Sequence, residues 1–187
     1  MNLASLIGRA LRGRRAGDTH LAERHPAIAG APLTLALTSP WFAEGGDMPP
    51  RSAGKGVGDN VSPPLGWSAP PAGTAALAIL MEDPDVPLRR PIVHLIAYGL
   101  KPDLRGLAEG ALNDGAPLAF GRNTLSGRGY QGPRALPGHG RHRYIFTLLA
   151  LSRPLAFPQS PDLAVFLSAI DGAVLARGRL VGGQERR

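Results

Sequence analysis

Apolar positions along this chain recur at two different periods, and the change between them divides it. Near the start, Leu3, Leu6, Ile7, Ala10 and Leu11 are spaced as on one helix face, with Arg9, Arg12, Arg14 and Arg15 supplying the polar side. From Pro32 the period drops to two. Leu33, Leu35 and Leu37 alternate with Thr34, Ala36 and Thr38, the signature of a half-buried strand. Three continuous apolar runs follow, Ala75 to Met81, Ile92 to Leu100 and Tyr144 to Leu151, each short enough for a buried strand. The helical period returns at Leu163, Phe166, Leu167, Ile170 and Val174, behind Ser160-Pro161-Asp162, which reads as a cap with proline in the first turn. Leu180 and Val181 suit a last short strand. Glu44 to Pro64 and Gly121 to Gly140 are long loops rich in glycine and proline, and such loops in compact domains are often functional. The pattern predicts a mainly β domain over residues 32–187, a sandwich with one C-terminal helix, behind a basic and helix-compatible extension, residues 1–31.

Composition narrows the function classes. A chain of 187 residues with 43% hydrophobic and 19% charged positions can bury one substantial core and is not disordered. Cysteine is absent, which excludes disulfides, thiolate nucleophiles, cysteine zinc sites and iron–sulfur clusters. That absence favours a reducing compartment. With no apolar run of membrane-spanning length and no secretory leader pattern, the expected location is the cytoplasm. The net charge of +7 permits contact with nucleic acid or anionic lipid. Its arginines are scattered among glycines without aromatic interleaving, so nucleic acid is not an expected partner. The amphipathic stretch at the start is expected to pack on its own domain or on a partner subunit, or to fray, rather than to lie on a membrane.

A few polar residues stand where strands begin or end. Asp83-Pro84-Asp85 follows the run ending at Met81, and proline stiffens the pair. Close carboxylates disfavour each other's charge, so one of them can hold a proton; a solvated turn is the plainer reading. In the run from Ile92, period two places His94 on the face of Ile92, Ile96 and Tyr98, where a hydrogen-bonded core histidine is the ordinary role. His142 and Tyr144 share one face of the strand they open, and Arg143 takes the other. Gly132, Gly138 and Gly140 would let a loop backbone approach a ligand and offer N–H donors to an anion.

Taken in order, these motifs carry more than each does alone. Asn60-x-Ser62-Pro63-Pro64-Leu65-x-Trp67 is followed by Asp83-Pro84-Asp85-x-Pro87, His94, Gly132-Pro133 and Gly-x-His142-Arg143-Tyr144. This set resembles the phosphatidylethanolamine-binding protein family, in its bacterial Raf-kinase-inhibitor-like branch, over roughly residues 33–183. The resemblance implies a sandwich of two antiparallel sheets with a conical pocket at one end that accepts phosphate, acetate or a phosphoethanolamine-like head group. It implies Asp83, Asp85 and Pro87 on one wall, His94 from the neighbouring strand, His142 and Tyr144 from the later one, and Gly132 and Pro133 at the rim. Arg134, where the branch often has other residues, would favour anions at the mouth. No catalytic residue, metal or cofactor is implied, and the expected assembly is a homodimer. A regulatory binding module is the leading reading, of the kinase- or protease-inhibitor kind by resemblance. The alternatives are an enzyme using the Asp/His pocket for acid–base or metal-assisted chemistry, and a dimeric interaction protein with an incidental pocket.

Overall fold

The apolar runs pair with one another at the centre of one sheet. A computed structural model describes residues 3–186. Its strands are β1 (Leu33–Thr38), β2 (Leu65–Trp67), β3 (Ala76–Asp83), β4 (Ile92–Leu100), β5 (Gly106–Leu107), β6 (Ala119–Phe120), β7 (Arg141–Leu151) and β8 (Val174–Glu185). They are ordered β5-β2-β1-β8-β7-β3-β4-β6. Every neighbouring pair is antiparallel except β1 with β8, which runs parallel. The mainly β class and the helix near the C-terminus are as expected. The sheet, however, is a single mixed one that curls, where two antiparallel sheets were expected, because the parallel β1–β8 pair joins the halves.

Two apolar clusters explain the curl. Residues from both ends of the sheet, among them Leu37, Trp67, Leu95, Phe120, Tyr144 and Phe146, share one core, so the sheet wraps around that face. The other face of β3, β4 and β7 is covered by α2 (Pro26–Ala29) and α3 (Leu163–Ala169), which contribute Ala27, Ile28, Phe166 and Leu167 to a second core. β3 is therefore buried at all eight positions, and its sequence shows a run instead of an alternation. A further helix, α1 (Leu3–Leu11), begins the described chain. Among the described residues no helix is long and apolar enough to cross a membrane.

Two local expectations are corrected. α3 is capped by Asp162, whose carboxylate accepts the Val165 N–H at 3.0 Å, and not by Ser160. β8 is a full-length strand, not a short one at Leu180 and Val181. Glycine hides it in the sequence, yet at Gly178 a Cβ would lie 2.6 Å from the Leu35 carbonyl, so close approach of β1 requires it.

Glu82 is a buried carboxyl on the second face, held by the Ala22 N–H at 3.0 and 3.2 Å. Burial, offset in part by that N–H and reinforced by Glu23, pushes its pKa up to about 7. The folded state thus keeps a proton that the unfolded chain releases above about pH 4.5, and stability falls as pH rises from there to about 7. Glu82→Gln keeps the acceptor and removes the charge. The variant is expected to gain on wild type across that window, by on the order of 3 kcal/mol at pH 8. Urea denaturation of both proteins at pH 4 and 8 measures this.

Candidate functional site

At the ends of β3, β4 and β7, polar side chains replace apolar ones where the sheet's inner face reaches the edge. Asp83, His94, His142 and Tyr144 meet there, each at most 3% exposed. His94 comes to this group by an irregularity. The β3–β4 register shifts where Met81 opposes Leu95 and Glu82 opposes Val93. Val93, Ile96 and Tyr98 consequently lie in the second core, while Leu95 lies in the first. Period two is broken at the bulge, so His94 does not share the face of Ile96 and Tyr98. Its ring meets that of Tyr144 edge-on, with centroids 5.4 Å apart.

The hydrogen bonds fix most of the protons. His94 Nδ1 lies 2.6 Å from the Gln131 carbonyl, which can only accept, so Nδ1 carries the hydrogen. Burial holds the His94 pKa below its ordinary value and keeps the ring neutral at pH 7, against the pull of Asp83. Its Nε2 is then a bare lone pair, buried and without a partner. The Tyr144 hydroxyl likewise has none, although the amides of Arg134 and Ala135 point toward its oxygen. Burial and the neighbouring Asp83 raise its pKa, so Tyr144 remains an O–H donor. The site thus presents one unsatisfied acceptor and one unsatisfied donor.

Beside them runs a line of hydrogen bonds. Asp83 Oδ2 lies 2.8 Å from His142 Nδ1, and His142 Nε2 lies 2.8 Å from His139 Nδ1. His139 Nε2 reaches the carbonyls of Leu11 and Arg14 at 2.9 and 3.1 Å. A carbonyl cannot donate, so His139 carries hydrogen on Nε2. Three bonds in series then need three protons, and two neutral rings hold only two. The third lies between Asp83 and His142. Burial and the neighbouring His142 lower the pKa of His139, consistent with that ring staying neutral.

Asp85 has a different role from the one expected. Asp83 Oδ1 accepts the Asp85 N–H at 2.8 Å, which closes the turn, but the Asp85 carboxylate turns away from the site and is buried against Arg143. It accepts from the Arg143 N–H, Nε and Nη2 at 2.8 to 2.9 Å, and Arg15 lies 3.3 Å away. Burial alone would raise its pKa; Arg143 and Arg15 more than offset this and hold it below the usual carboxylate range. The two acids therefore do not share a proton. Pro87 is half-buried beyond the turn, and Arg134 is exposed, its stem running over Gly54.

The glycine loop also differs from expectation. Gly132 and Pro133 are buried, and a Cβ at Gly132 would lie 2.1 Å from the Ser52 carbonyl. Yet the Gly132 N–H is taken by Asn60 Oδ1 at 2.8 Å, and the Gly138 N–H by the Arg186 carbonyl. Neither is spare for an anion. Asn60 is itself held at positive φ and also donates to the Tyr130 carbonyl, so the first motif pins the loop that carries Gln131 under His94. His139 was missed in the sequence. The available signal was a histidine between two glycines, three residues before His142, and both glycines take positive φ.

The match with a family model settles the kinship: the model described as phosphatidylethanolamine-binding protein covers residues 38–184. This chain belongs to that family. Its bacterial branch is indicated by a UPF0098 protein of Chlamydia trachomatis, 35% identical over 81% of this chain and 99% of the relative. A Mycobacterium tuberculosis protein bearing the name lipoprotein LppC is 39% identical over 84% of this chain and 74% of its own length. Among solved structures, a family homologue of Chlamydia trachomatis aligns over 82% of this chain and 98% of its own with a TM-score of 0.74 at 33% identity. Escherichia coli YbcL, at 23% identity, shares the fold with a TM-score of 0.76 over 82% and 99%.

Since Asp85 serves an ion pair, its loss tests structure. Asp85→Asn is expected to destabilise the protein by about 2–3 kcal/mol at pH 7, below a fully buried pair because Arg143 is partly exposed. The stability that a lowered carboxyl contributes is present above its unfolded pKa and lost on acidification, so the gap should close below about pH 4. Thermal denaturation of both proteins at pH 7 and 3.5 measures this.

Proposed function

We propose that this family member is a binding protein for a small phosphorylated anion, without catalysis of its own. The carrying observation is the pair of buried, partnerless atoms, His94 Nε2 and Tyr144 Oη, beside Asp83 and His142. Burying such groups unpaired costs about 1–3 kcal/mol each, and a ligand that pairs both recovers it. The acceptor and donor match one protonated and one ionised oxygen of a phosphate group. A P–OH donates to His94, and a P–O⁻ accepts from Tyr144. The shared proton of Asp83 and His142 supplies positive character next to the anion without placing a net charge on the line. The name of the matching family supports a phosphoethanolamine-like head group as the ligand's chemistry. The use assigned to this binding is regulatory, of the inhibitor kind that the family resemblance implies.

Tyr144→Phe deletes only the orphan hydroxyl. The variant should fold and bind inorganic phosphate or phosphoethanolamine about ten- to a hundredfold more weakly, as read by titration calorimetry. Equal affinity in both proteins would contradict the reading.

The pH dependence is a separate test. A neutral His94 accepts a proton either from the ligand or along with it, so binding takes up one proton once a phosphomonoester becomes a dianion, above about pH 6. Affinity is expected to fall by up to about tenfold per pH unit from pH 7 to 8. Calorimetry in buffers of different ionisation enthalpy should record the proton uptake.

A further inference from the structure

The line of hydrogen bonds from Asp83 does not end inside the domain. It ends on the backbone of the segment that opens the chain, and that segment lies across the site. α1 packs on the loop preceding β7. Gly8 is its one buried position, and a Cβ there would stand 1.9 Å from the Pro137 carbonyl oxygen and 2.9 Å from the His139 nitrogen. A Cβ at Gly138 would in turn meet the Ser5 carbonyl at 2.8 Å, so helix and loop touch backbone to backbone. Beyond α1 the chain continues along the Asp-Pro-Asp turn. Ala16 N–H bonds to the Val86 carbonyl, Gly17 N–H to the Pro84 carbonyl, and Arg15 to the Arg141 carbonyl. Every site residue beneath is closed off from solvent.

We propose that residues 3–16 are a built-in lid on the anion site, with His139 as its latch, so that lid and ligand compete for His142. This rests on the anion-binding reading above. The latch is a single ring with two faces of contact. Through Nδ1 it occupies the outward nitrogen of His142, and through Nε2 it is held by the carbonyls of Leu11 and Arg14. An anion that takes His142 Nε2 as its donor must displace His139, and a displaced His139 no longer holds the lid.

Three features make the lid removable. Its inner surface is small side chains and backbone, while its large apolar side chains face outward: Leu3, Leu6 and Ile7 are 72%, 46% and 45% exposed. Little apolar area is therefore lost when it lifts. Gly17, at φ 74°, offers a hinge. The chain is anchored immediately beyond, where Asp18 meets Arg143 at 2.9 Å and Ala22 meets Glu82. Lifting residues 3–16 therefore leaves both cores untouched. The sequence expectation that this stretch packs on its own domain is compatible with the geometry, but the leucine face is not the face that packs.

The test uses the full chain. Gly8→Ala changes no side chain of the site and places a methyl where the Pro137 carbonyl stands, against the backbone of the loop alone. Amide hydrogen exchange should show residues 3–16 released while β3, β7 and β8 keep their protection. Inorganic phosphate and phosphoethanolamine should bind the variant at least about tenfold more tightly than wild type, because the competent state is no longer a minor one. In wild type, saturating phosphate should raise exchange in residues 3–16 and free their backbone for tryptic cleavage after Arg9, Arg12, Arg14 and Arg15, which are exposed already. A released segment with unchanged phosphate affinity overturns the lid and leaves the anion site standing. Phosphate bound to wild type with residues 3–16 still protected does the same. Phosphate binding to neither protein, with the segment released, overturns the anion-site reading and the lid with it.

Discussion

The structure turns on keeping a chain of polar groups out of water without leaving the chain short of a proton. Asp83, His142 and His139 are buried in series, and a buried ion without compensation is costly. Two things make the arrangement tolerable. The register of β3 against β7, in which Glu82 opposes Ile145, brings the next residues, Asp83 and Tyr144, to adjoining positions at the strand ends. The shared proton then leaves the series electrically neutral overall. Neutrality also lets Asp83 and three histidines surround the proposed anion site without repelling its ligand.

One stiff tripeptide divides the work between the two acids. Proline fixes the turn, the Asp85 N–H closes on Asp83, and the two carboxylates end on opposite sides. β7 repeats the division, with His142 and Tyr144 facing the site and Arg143 facing out to Asp85 and Asp18. Asp83 belongs to the chemistry and Asp85 to the anchoring of the turn and of the incoming chain. A single motif thus supplies both the site and the support that the lid hinges on.

Much of this was legible in the sequence, and the failures have specific causes. The three apolar runs announced β3, β4 and β7 because their residues are buried on both faces. The ordered motifs identified the family and four of the residues that meet: Asp83, His94, His142 and Tyr144. The facing of His94 was misjudged because a β-bulge leaves no mark on a period-two count. Asp85 was misassigned because its partners, Arg143 and Arg15, lie 58 and 70 residues away along the chain. β8 was shortened because its glycines answer to close packing against β1, Met48 and Phe42, which no local propensity encodes. His139 and the lid needed the same long-range knowledge, since Leu11 and Arg14 reach it from 128 and 125 residues away.

The central claim is that a phosphate group pairs the two orphan atoms in the buried cluster. Nitrogen-15 resonances of the histidine rings during a phosphate titration test it most directly, because a ring nitrogen's shift reports whether it bears a lone pair, a hydrogen bond or a proton. The account predicts a large change at His94 Nε2, a smaller one at His142 Nε2 as His139 leaves it, and little change at His20 or His25. Saturable phosphate binding that leaves His94 and His142 unmoved would contradict it.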